Sequence, residues 1–476
     1  MKLNKFKIKS SQSFKKMALV LISTLIITFI SGENLTAKPN VVVIFTDDQG
    51  YNDIGCFGSA LIRTPNLDQM AEEGMRFTDF YSANSVCSPS RASLLTGSYP
   101  PRAGVTKVLF PRDSVGLHPG EVTIADLLKD EGYATACIGK WHLGHHPKFL
   151  PTRQGFDYYF GIPYSNDMTI DAKNAQFAKD TNFREGFSVK KVRESKTTKN
   201  YVPLMRNEKV VEYPADQTTL TKRYTEEAIK FIKDNREKPF FLYLPHTMPH
   251  IPLFATPEFL GKSAEGLYGD TIEEIDWSVG KIMESIKSLG LDENTLVVFT
   301  SDNGPWKLKS GHGGNAFPLR GYKFSTYEGG MRVPCIMRWP GKIPAGSACS
   351  KVAATIDLLP TICEISGVDL PEGRIIDGRS ILKLMRKGDK AQSPHEAYYY
   401  YKGTRLEAVR MGDWKLRITG NNKNKSFELF NLAIDISESV NLSKIHSDKV
   451  EQLAATMAKF DQSLKMARRP TGKLNE

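Results

Sequence analysis

The run Asn40-Val41-Val42-Val43-Ile44-Phe45-Thr46 stops abruptly at Asp47-Asp48-Gln49-Gly50. A stretch this apolar and β-branched, with no polar alternation, predicts a strand buried on both faces, as in the interior of a parallel sheet. Two further runs share that character. Thr295-Leu296-Val297-Val298-Phe299-Thr300 ends in Ser301-Asp302-Asn303-Gly304, and Pro239-Phe240-Phe241-Leu242-Tyr243-Leu244 ends in Pro245-His246. Three apolar strands therefore discharge polar groups at their carboxyl ends.

Between these runs, residues 123–131, 218–235 and 271–289 carry apolar side chains three and four apart, the spacing of amphipathic helices. Strands alternating with helices predict an α/β protein, a large mixed and mostly parallel sheet sandwiched by helices. In open sheets of this type ligands bind beyond the carboxyl ends of the strands. Residues 171–210 are polar and lysine-rich with little periodicity, which predicts a long surface excursion at a pocket rim. Short strand-like pieces at 397–402, 406–411, 415–419 and 427–431, then a helical stretch over 448–465, predict a smaller C-terminal antiparallel sheet closed by a helix. The expected division is 38–385 for a catalytic domain and 386–476 for the C-terminal subdomain.

Residues 1–37 read as a secretory signal peptide, with six lysines ahead of the apolar run 17–30 and a polar stretch ending at Ala37. That run falls short of the roughly 20 residues a spanning helix needs. An exported protein is expected, periplasmic or secreted, with no stable membrane span after signal removal. The segment sets six lysines against Glu33 and so accounts for five of the formal +11, leaving +6 on the mature chain. An excess this small, without interleaved basic and aromatic residues, argues against nucleic acid and suits an anionic substrate. At 40% hydrophobic and 25% charged residues the chain has the composition of a globular protein. The six cysteines show no CxxC pair and no zinc spacing, so neither a disulfide scaffold nor a zinc site is implied.

Cys87-Ser88-Pro89-Ser90-Arg91 continues into Ala92-Ser93-Leu94-Leu95-Thr96-Gly97, with proline suited to a helix's first turn and glycine to its end. Cys87 then sits at a helix N-terminus, where free N–H groups and the dipole favour an anion, and Arg91 follows one turn later on the same face. By itself such a cysteine reads as a disulfide half or a reactive thiol. An Asp-Asp pair in a turn is ordinarily a cap or solvated. Here Asp47-Asp48 and Asp302-Asn303 end two central strands, and carboxylates converging at a sheet edge repel unless a cation joins them. Hard oxygen ligands of this kind suit calcium or magnesium.

The string Cys87-x-Pro89-x-Arg91 followed by Ala-Ser-Leu-Leu-Thr-Gly resembles the maturation signature of type I, formylglycine-dependent sulfatases, arylsulfatase-like members of the alkaline phosphatase superfamily. Asp47-Asp48-Gln49, Gly139-Lys140-Trp141-His142-Leu143-Gly144, Ser301-Asp302-Asn303-Gly304 and Thr326-Tyr327-Glu328-Gly329-Gly330 look like further family signatures in the family's order. The resemblance spans about residues 38–385 and implies an alkaline-phosphatase-like fold. It also implies that a formylglycine-generating enzyme oxidises Cys87 to formylglycine, and that Asp47, Asp48, Asp302, Asn303 and the modified Cys87 hold calcium. Arg91 joins this catalytic set, Lys140 contacts the sulfate and His142 acts on formylglycine. In Pro245-His246-Thr247-Met248-Pro249-His250-Ile251-Pro252 the second histidine, His250, matches the leaving-group histidine and His246 touches substrate. Gly321-Tyr322-Lys323 fits a second sulfate-binding lysine, Lys323, and Gly161-Ile-Pro-Tyr-Ser165-Asn166-Asp167 an active-site segment with Ser165 at the substrate.

The expected activity is sulfate ester hydrolysis on a sulfated polysaccharide or oligosaccharide, with His246, Lys307, Lys309, His312 and Arg405 as candidates for holding neighbouring sugars. Two alternatives stand beside it. One is a phosphomonoester or phosphonate hydrolase of the same superfamily, and the other an inactive sulfated-glycan-binding protein.

Overall fold

The computed structural model describes Met1 and residues 38–195, 199–307, 311–420 and 424–475. The signal-peptide reading of 1–37 and the candidate Lys309 fall outside the described residues, Met1 apart. From Pro39 onward the chain forms one compact unit.

Eleven strands make the main sheet among the described residues: β1 (Asn40–Thr46), β2 (Met75–Phe77), β3 (Ala134–Ile138), β4 (Tyr158–Gly161), β5 (Phe177–Phe183), β6 (Leu204–Arg206), β7 (Lys209–Tyr213), β8 (Phe240–Pro245), β9 (Thr295–Ser301), β10 (Cys335–Arg338) and β11 (Ser347–Cys349). Their order is β11-β2-β10-β9-β1-β8-β3-β4-β6-β7-β5. The central five, β9 through β4, run parallel, while β10 and β6 turn antiparallel on either side. The three apolar runs singled out in the sequence are thus neighbours. Register aligns Thr46 with Ser301 and Phe45 with Pro245, so the polar residues that follow emerge side by side.

Both faces of β1 are covered, which is why it lacks alternation. Val41, Val43 and Phe45 pack with residues of α2 (Cys87–Thr96), α3 (Ile124–Asp130) and α6 (Leu358–Ser366). Val42 and Ile44 pack with α1 (Pro65–Glu72), α4 (Leu220–Asp234) and α5 (Gly266–Ser288). Burying such a side chain contributes roughly 1.5–3 kcal/mol, so an alternating polar residue on either face would be strongly selected against. The helices expected at 123–131, 218–235 and 271–289 are α3, α4 and α5, the last beginning earlier, at Gly266.

Segment 171–210 departs from its reading as a surface excursion. It supplies β5, β6 and the start of β7, which extend the main sheet at one edge. In β5, Phe-Ala-Lys-Asp-Thr-Asn-Phe, no residue is fully buried. An edge strand with two wet faces is held by its backbone ladder, and hydrophobic periodicity cannot report it.

The C-terminal region forms β12 (Tyr398–Lys402), β13 (Arg405–Met411), β14 (Trp414–Gly420) and β15 (Lys425–Asn431), an antiparallel sheet in chain order. Leu453, Met457 and Leu464 of α7 (Ser447–Met466) close it, and its tyrosines share a core with Tyr81 and Tyr99 of the larger part. Beneath this seam lies a buried ionic cluster. Glu328 accepts from Lys415 Nζ and Tyr400 Oη on one oxygen, both at 2.8 Å, and from Tyr81 Oη at 2.5 Å on the other. Lys415 also pairs with Glu438 at 2.9 Å. Arg410 and Arg332 both pair with Asp79. All six cysteines are free.

Candidate active site

The site grows from the ends of β1 and β9. Asp47, Asp48, Asp302 and Asn303 lie there fully buried. Asp48 is a non-glycine residue at φ 63°, a left-handed conformation that turns the chain at the end of β1. Its N–H donates to Asp302 Oδ1 at 3.1 Å, and Asn303 Nδ2 donates to Asp48 Oδ1 at 2.7 Å. The two strand ends are therefore stitched together by the acidic residues themselves.

Cys87 opens α2, which ends at Gly97 with φ 61°. Its Sγ donates to Asp47 Oδ1 at 3.3 Å, with Lys323 Nζ 3.5 Å away. One turn on, Arg91 bridges Asp302 at 2.8 Å and Asp47 at 3.3 Å, and also donates to the Lys140 carbonyl at 2.9 Å. Lys140 Nζ pairs with Asp47, and Lys323 Nζ with Asp48 at 2.7 Å. Three carboxylates thus face three cations.

Equal numbers do not mean saturation. Burial works against the Asp47 carboxyl, yet Lys140, His250, Arg91 and Lys323 hold it well below its usual range. Burial and then the Asp47 charge push Asp302 up to about 7, and burial raises Asp48 as well. Asn303 Oδ1 is buried without a partner. Carboxylates pushed up, an orphan amide oxygen and an oxygen-dominated donor set fit a hard divalent cation. Ligand atoms of Asp47, Asp48, Cys87 and His250 lie within 4.8 Å of one another. The Cys87 thiol is pushed well up by burial and by Asp47, so it is no thiolate as it stands.

Two imidazoles flank the cluster with their tautomers set. His142, at φ 60°, has Nε2 at 2.9 Å from the Leu109 carbonyl, which can only accept, so Nδ1 is left unprotonated and is buried without a partner. His250 Nδ1 lies 2.6 Å from the Ile251 carbonyl, which leaves Nε2 facing Asp48 Oδ2 at 3.6 Å. Burial, then neighbouring cations, lowers both rings well below the usual histidine range. Ser165 Oγ stands between the two sides, 3.1 Å from Lys140 Nζ and 3.4 Å from His250 Nδ1.

Cys87, Arg91, Lys140, His142, Ser165, His250, Lys323 and the four metal-ligand candidates therefore converge. The sugar-holding candidates do not. His246 is a correction: its ring is fully buried, packed by Tyr224 of α4 and 3.4 Å from Ser278 Oγ of α5, inside the helix layer rather than at the cleft. Arg405 is tied to Glu407 at 2.7 Å on the C-terminal sheet. His312 is exposed on a loop, and Lys307 Nζ stands 5.8 Å from the Tyr322 ring. Sequence reasoning missed Asn166, whose Oδ1 lies 3.1 Å from His250 Nδ1, and Trp306, whose ring centroid lies 5.5 Å from that of His250. Asn166 sat inside an already quoted motif; Trp306 followed Asp302-Asn303-Gly304-Pro305 without any periodic signal.

Carboxylates arranged to hold a hard cation, with two lysines and two neutral imidazoles beside them, suit a hydrolase of anionic esters. The family description "Sulfatase" matches residues 39–368, and "N-sulphoglucosamine sulphohydrolase, C-terminal" matches 322–467. The chain belongs to the sulfatase family, as a type I member of the alkaline phosphatase superfamily and a sulfuric ester hydrolase. It is 38% identical to the N-acetylgalactosamine-6-sulfatase of Mus musculus over 87% of this chain and 78% of that one. The crystal structure of Ps i-CgsB in complex with k-i-k-neocarrahexaose superposes with a TM-score of 0.76 at 33% identity, covering 89% of this chain and 93% of that one. The PsFucS1 sulfatase from Pseudoalteromonas sp. gives a TM-score of 0.79 at 27% identity, covering 97% of each chain.

Proposed function

We propose that this sulfatase acts outside the cytoplasm on a sulfated polysaccharide or oligosaccharide, using formylglycine made from Cys87 by a maturation enzyme and a calcium ion held by Asp47, Asp48, Asp302, Asn303 and the modified residue 87. The observation that carries this reading is the state of Cys87: a buried, neutral thiol at a helix N-terminus, inside a charge-balanced cluster whose Asp302 carboxyl is still pushed up to about 7 by burial and the Asp47 charge. Such a thiol is a poor nucleophile but well placed for an oxygen-bearing replacement beside a hard cation. When present, calcium polarises the sulfate oxygens and hydrated formylglycine supplies one hydroxyl for attack and a second for release of sulfate.

The chain's own residues do the rest. Lys140, paired with Asp47, and Lys323, paired with Asp48, neutralise the sulfate oxygens. Arg91 sets the positions of Asp47 and Asp302. His250, its Nδ1–H held by the Ile251 carbonyl, presents the lone pair of Nε2 beside the departing ester oxygen, and the Lys323 ammonium next to it gives that oxygen its proton. His142 Nδ1 is the free base that takes a proton from residue 87. Residues 1–37 serve as the export signal; among the described residues no helix is long and apolar enough to cross a membrane. The catalytic domain spans 38–385 and the C-terminal subdomain 386–476. The glycan is supported by the neocarrahexaose bound to Ps i-CgsB and by the N-acetylgalactosamine-6-sulfatase similarity.

Mass spectrometry of the Cys87 peptide after coexpression with a maturation enzyme, with sulfate release from a panel of sulfated oligosaccharides, tests the proposal. Formylglycine at residue 87 and sulfate release are expected. An unmodified thiol with no turnover would support glycan binding alone, and faster cleavage of p-nitrophenyl phosphate than of the sulfate would make the protein a phosphoester hydrolase.

A further inference from the structure

Lys323 and Phe324 are consecutive and do opposite things. Lys323 is buried and reaches Asp48 and Cys87, while Phe324 leaves 43% of its surface exposed. Phe324 has φ 72°, a left-handed conformation that costs a bulky residue on the order of 1–3 kcal/mol. Hydrogen bonds from Lys323 N to the Pro305 carbonyl, 2.9 Å, and from Phe324 N to the Ser85 carbonyl, 3.0 Å, hold it there. Ser85 lies just ahead of Cys87, so the strained residue is fastened to the nucleophile's own segment. An exposed ring held at that expense of strain, beside a catalytic pocket, needs a purpose beyond packing.

Trp306 connects this ring to the chemistry. Its ring meets Phe324 edge-on at 5.7 Å, lies 5.5 Å from the His250 ring, and has Lys323 Nζ 4.5 Å from its centroid. The indole is partly exposed. An aromatic wall thus runs from the two groups on the leaving side of the site out to solvent. Whatever departs from sulfate must leave past His250 and Lys323, and so along this wall.

We propose that Trp306 and Phe324 form the leaving-group subsite and that its occupant is a pyranose ring, stacked by its C–H face on the indole with its ester oxygen between His250 and Lys323. This deepens the sulfated-glycan reading and rests on it. Polar groups around a sugar leave an apolar C–H face that an aromatic surface desolvates favourably, and the roughly 0.5–1.5 kcal/mol that aromatic pairs contribute beyond area burial sets the scale for such a contact.

The test uses the full chain matured with formylglycine and loaded with calcium, and compares wild type, Trp306→Ala, Trp306→Phe and Phe324→Gly. Phe324→Gly removes the ring while suiting the left-handed backbone, so it separates stacking from strain. On the sulfated oligosaccharide that wild type cleaves best, KM is expected to rise about tenfold in Trp306→Ala, less in Phe324→Gly, and to recover in Trp306→Phe. Inhibition by inorganic sulfate, which reads the anion clamp alone, is expected to stay within about twofold across the series. Unchanged KM in Trp306→Ala, or a matching loss of sulfate inhibition, overturns the subsite. A loss confined to p-nitrophenyl sulfate overturns the pyranose as occupant. Failure of wild type to release sulfate from any oligosaccharide sinks the glycan reading itself, which keeps the two failures apart.

Discussion

The molecule buries two clusters of three carboxylates and three cations each, and they behave differently. At the active site Asp47, Asp48 and Asp302 face Arg91, Lys140 and Lys323. At the seam with the C-terminal sheet Asp79, Glu328 and Glu438 face Arg332, Arg410 and Lys415. In the seam, burial is overcome by Lys415, Arg332 and Arg410, and Glu328 is held well below the usual carboxylate range. Two tyrosine hydroxyls complete its shell. Glu438, sharing Lys415 with it, is pushed up by burial. At the site, by contrast, Asp302 rises to about 7 and Asn303 Oδ1 has no partner. Charge balance and saturation are separate properties. The seam saturates Glu328 and holds the fold, with Glu438 Oε1 met by the Lys415 ion pair alone, whereas the site leaves Asn303 Oδ1 unmet and Asp302 pushed up and so retains capacity for a ligand.

The largest difference is expected at the nucleophile position. Cys87→Ser, made in a host whose maturation machinery accepts only cysteine, should keep the melting temperature and lose turnover about a thousandfold or more. Full activity in that variant contradicts the aldehyde. Next, Lys415→Met leaves Glu328 and Glu438 buried against too little positive charge, and a loss of about 3–5 kcal/mol in denaturant unfolding is expected. Lys140→Met in the presence of calcium should lose less than half as much stability while turnover falls about a hundredfold or more. Equal destabilisation by the two substitutions would erase the distinction between clusters.

Chelation gives a smaller, selective effect. A ligand present at a hundred times its Kd stabilises by about 2.7 kcal/mol, so EDTA should lower the wild-type melting temperature by that equivalent and leave Asp302→Asn nearly unmoved. A calcium-independent melting temperature in wild type would mean the site is already saturated. The smallest effect comes from a third pair, His395 with Asp357 at 2.7 Å. Burial opposes the His395 charge, but Asp357 prevails and raises its pKa. A raised folded pKa gives stability that is full below pH about 6.5 and fades as pH rises through the folded value. The gap in melting temperature between wild type and His395→Gln should therefore narrow as pH rises from about 6 to 8, and a gap that widens instead would refute the sign.

How much of this was legible follows from where each residue's partners lie. The runs that became β1, β8 and β9 announced themselves because strands covered on both faces must be apolar throughout. The acidic pairs at their ends followed directly. Segment β5–β7 was opaque because edge pairing leaves no hydrophobic period. His246 and His250 share one short motif, yet His246 follows the last residue of β8 into the α4–α5 layer, and only His250, beyond the next turn, reaches the site. Local sequence cannot tell which side of a sheet a residue will leave by. The seam was invisible because Glu328 meets a lysine 87 positions away and a tyrosine 247 positions away.

The burial of Cys87, at 2% exposure beneath two lysines and an arginine, bears on the order of events in the protein's life. No second enzyme can close its own active site around a side chain in that position. Any modification of residue 87 has to happen while the chain is still open, before the downstream segment bearing Lys323 and Glu328 docks. Glu328 is fixed from β12 and β14, through Tyr400 and Lys415, so the C-terminal sheet also anchors the segment that carries Lys323 down to Cys87.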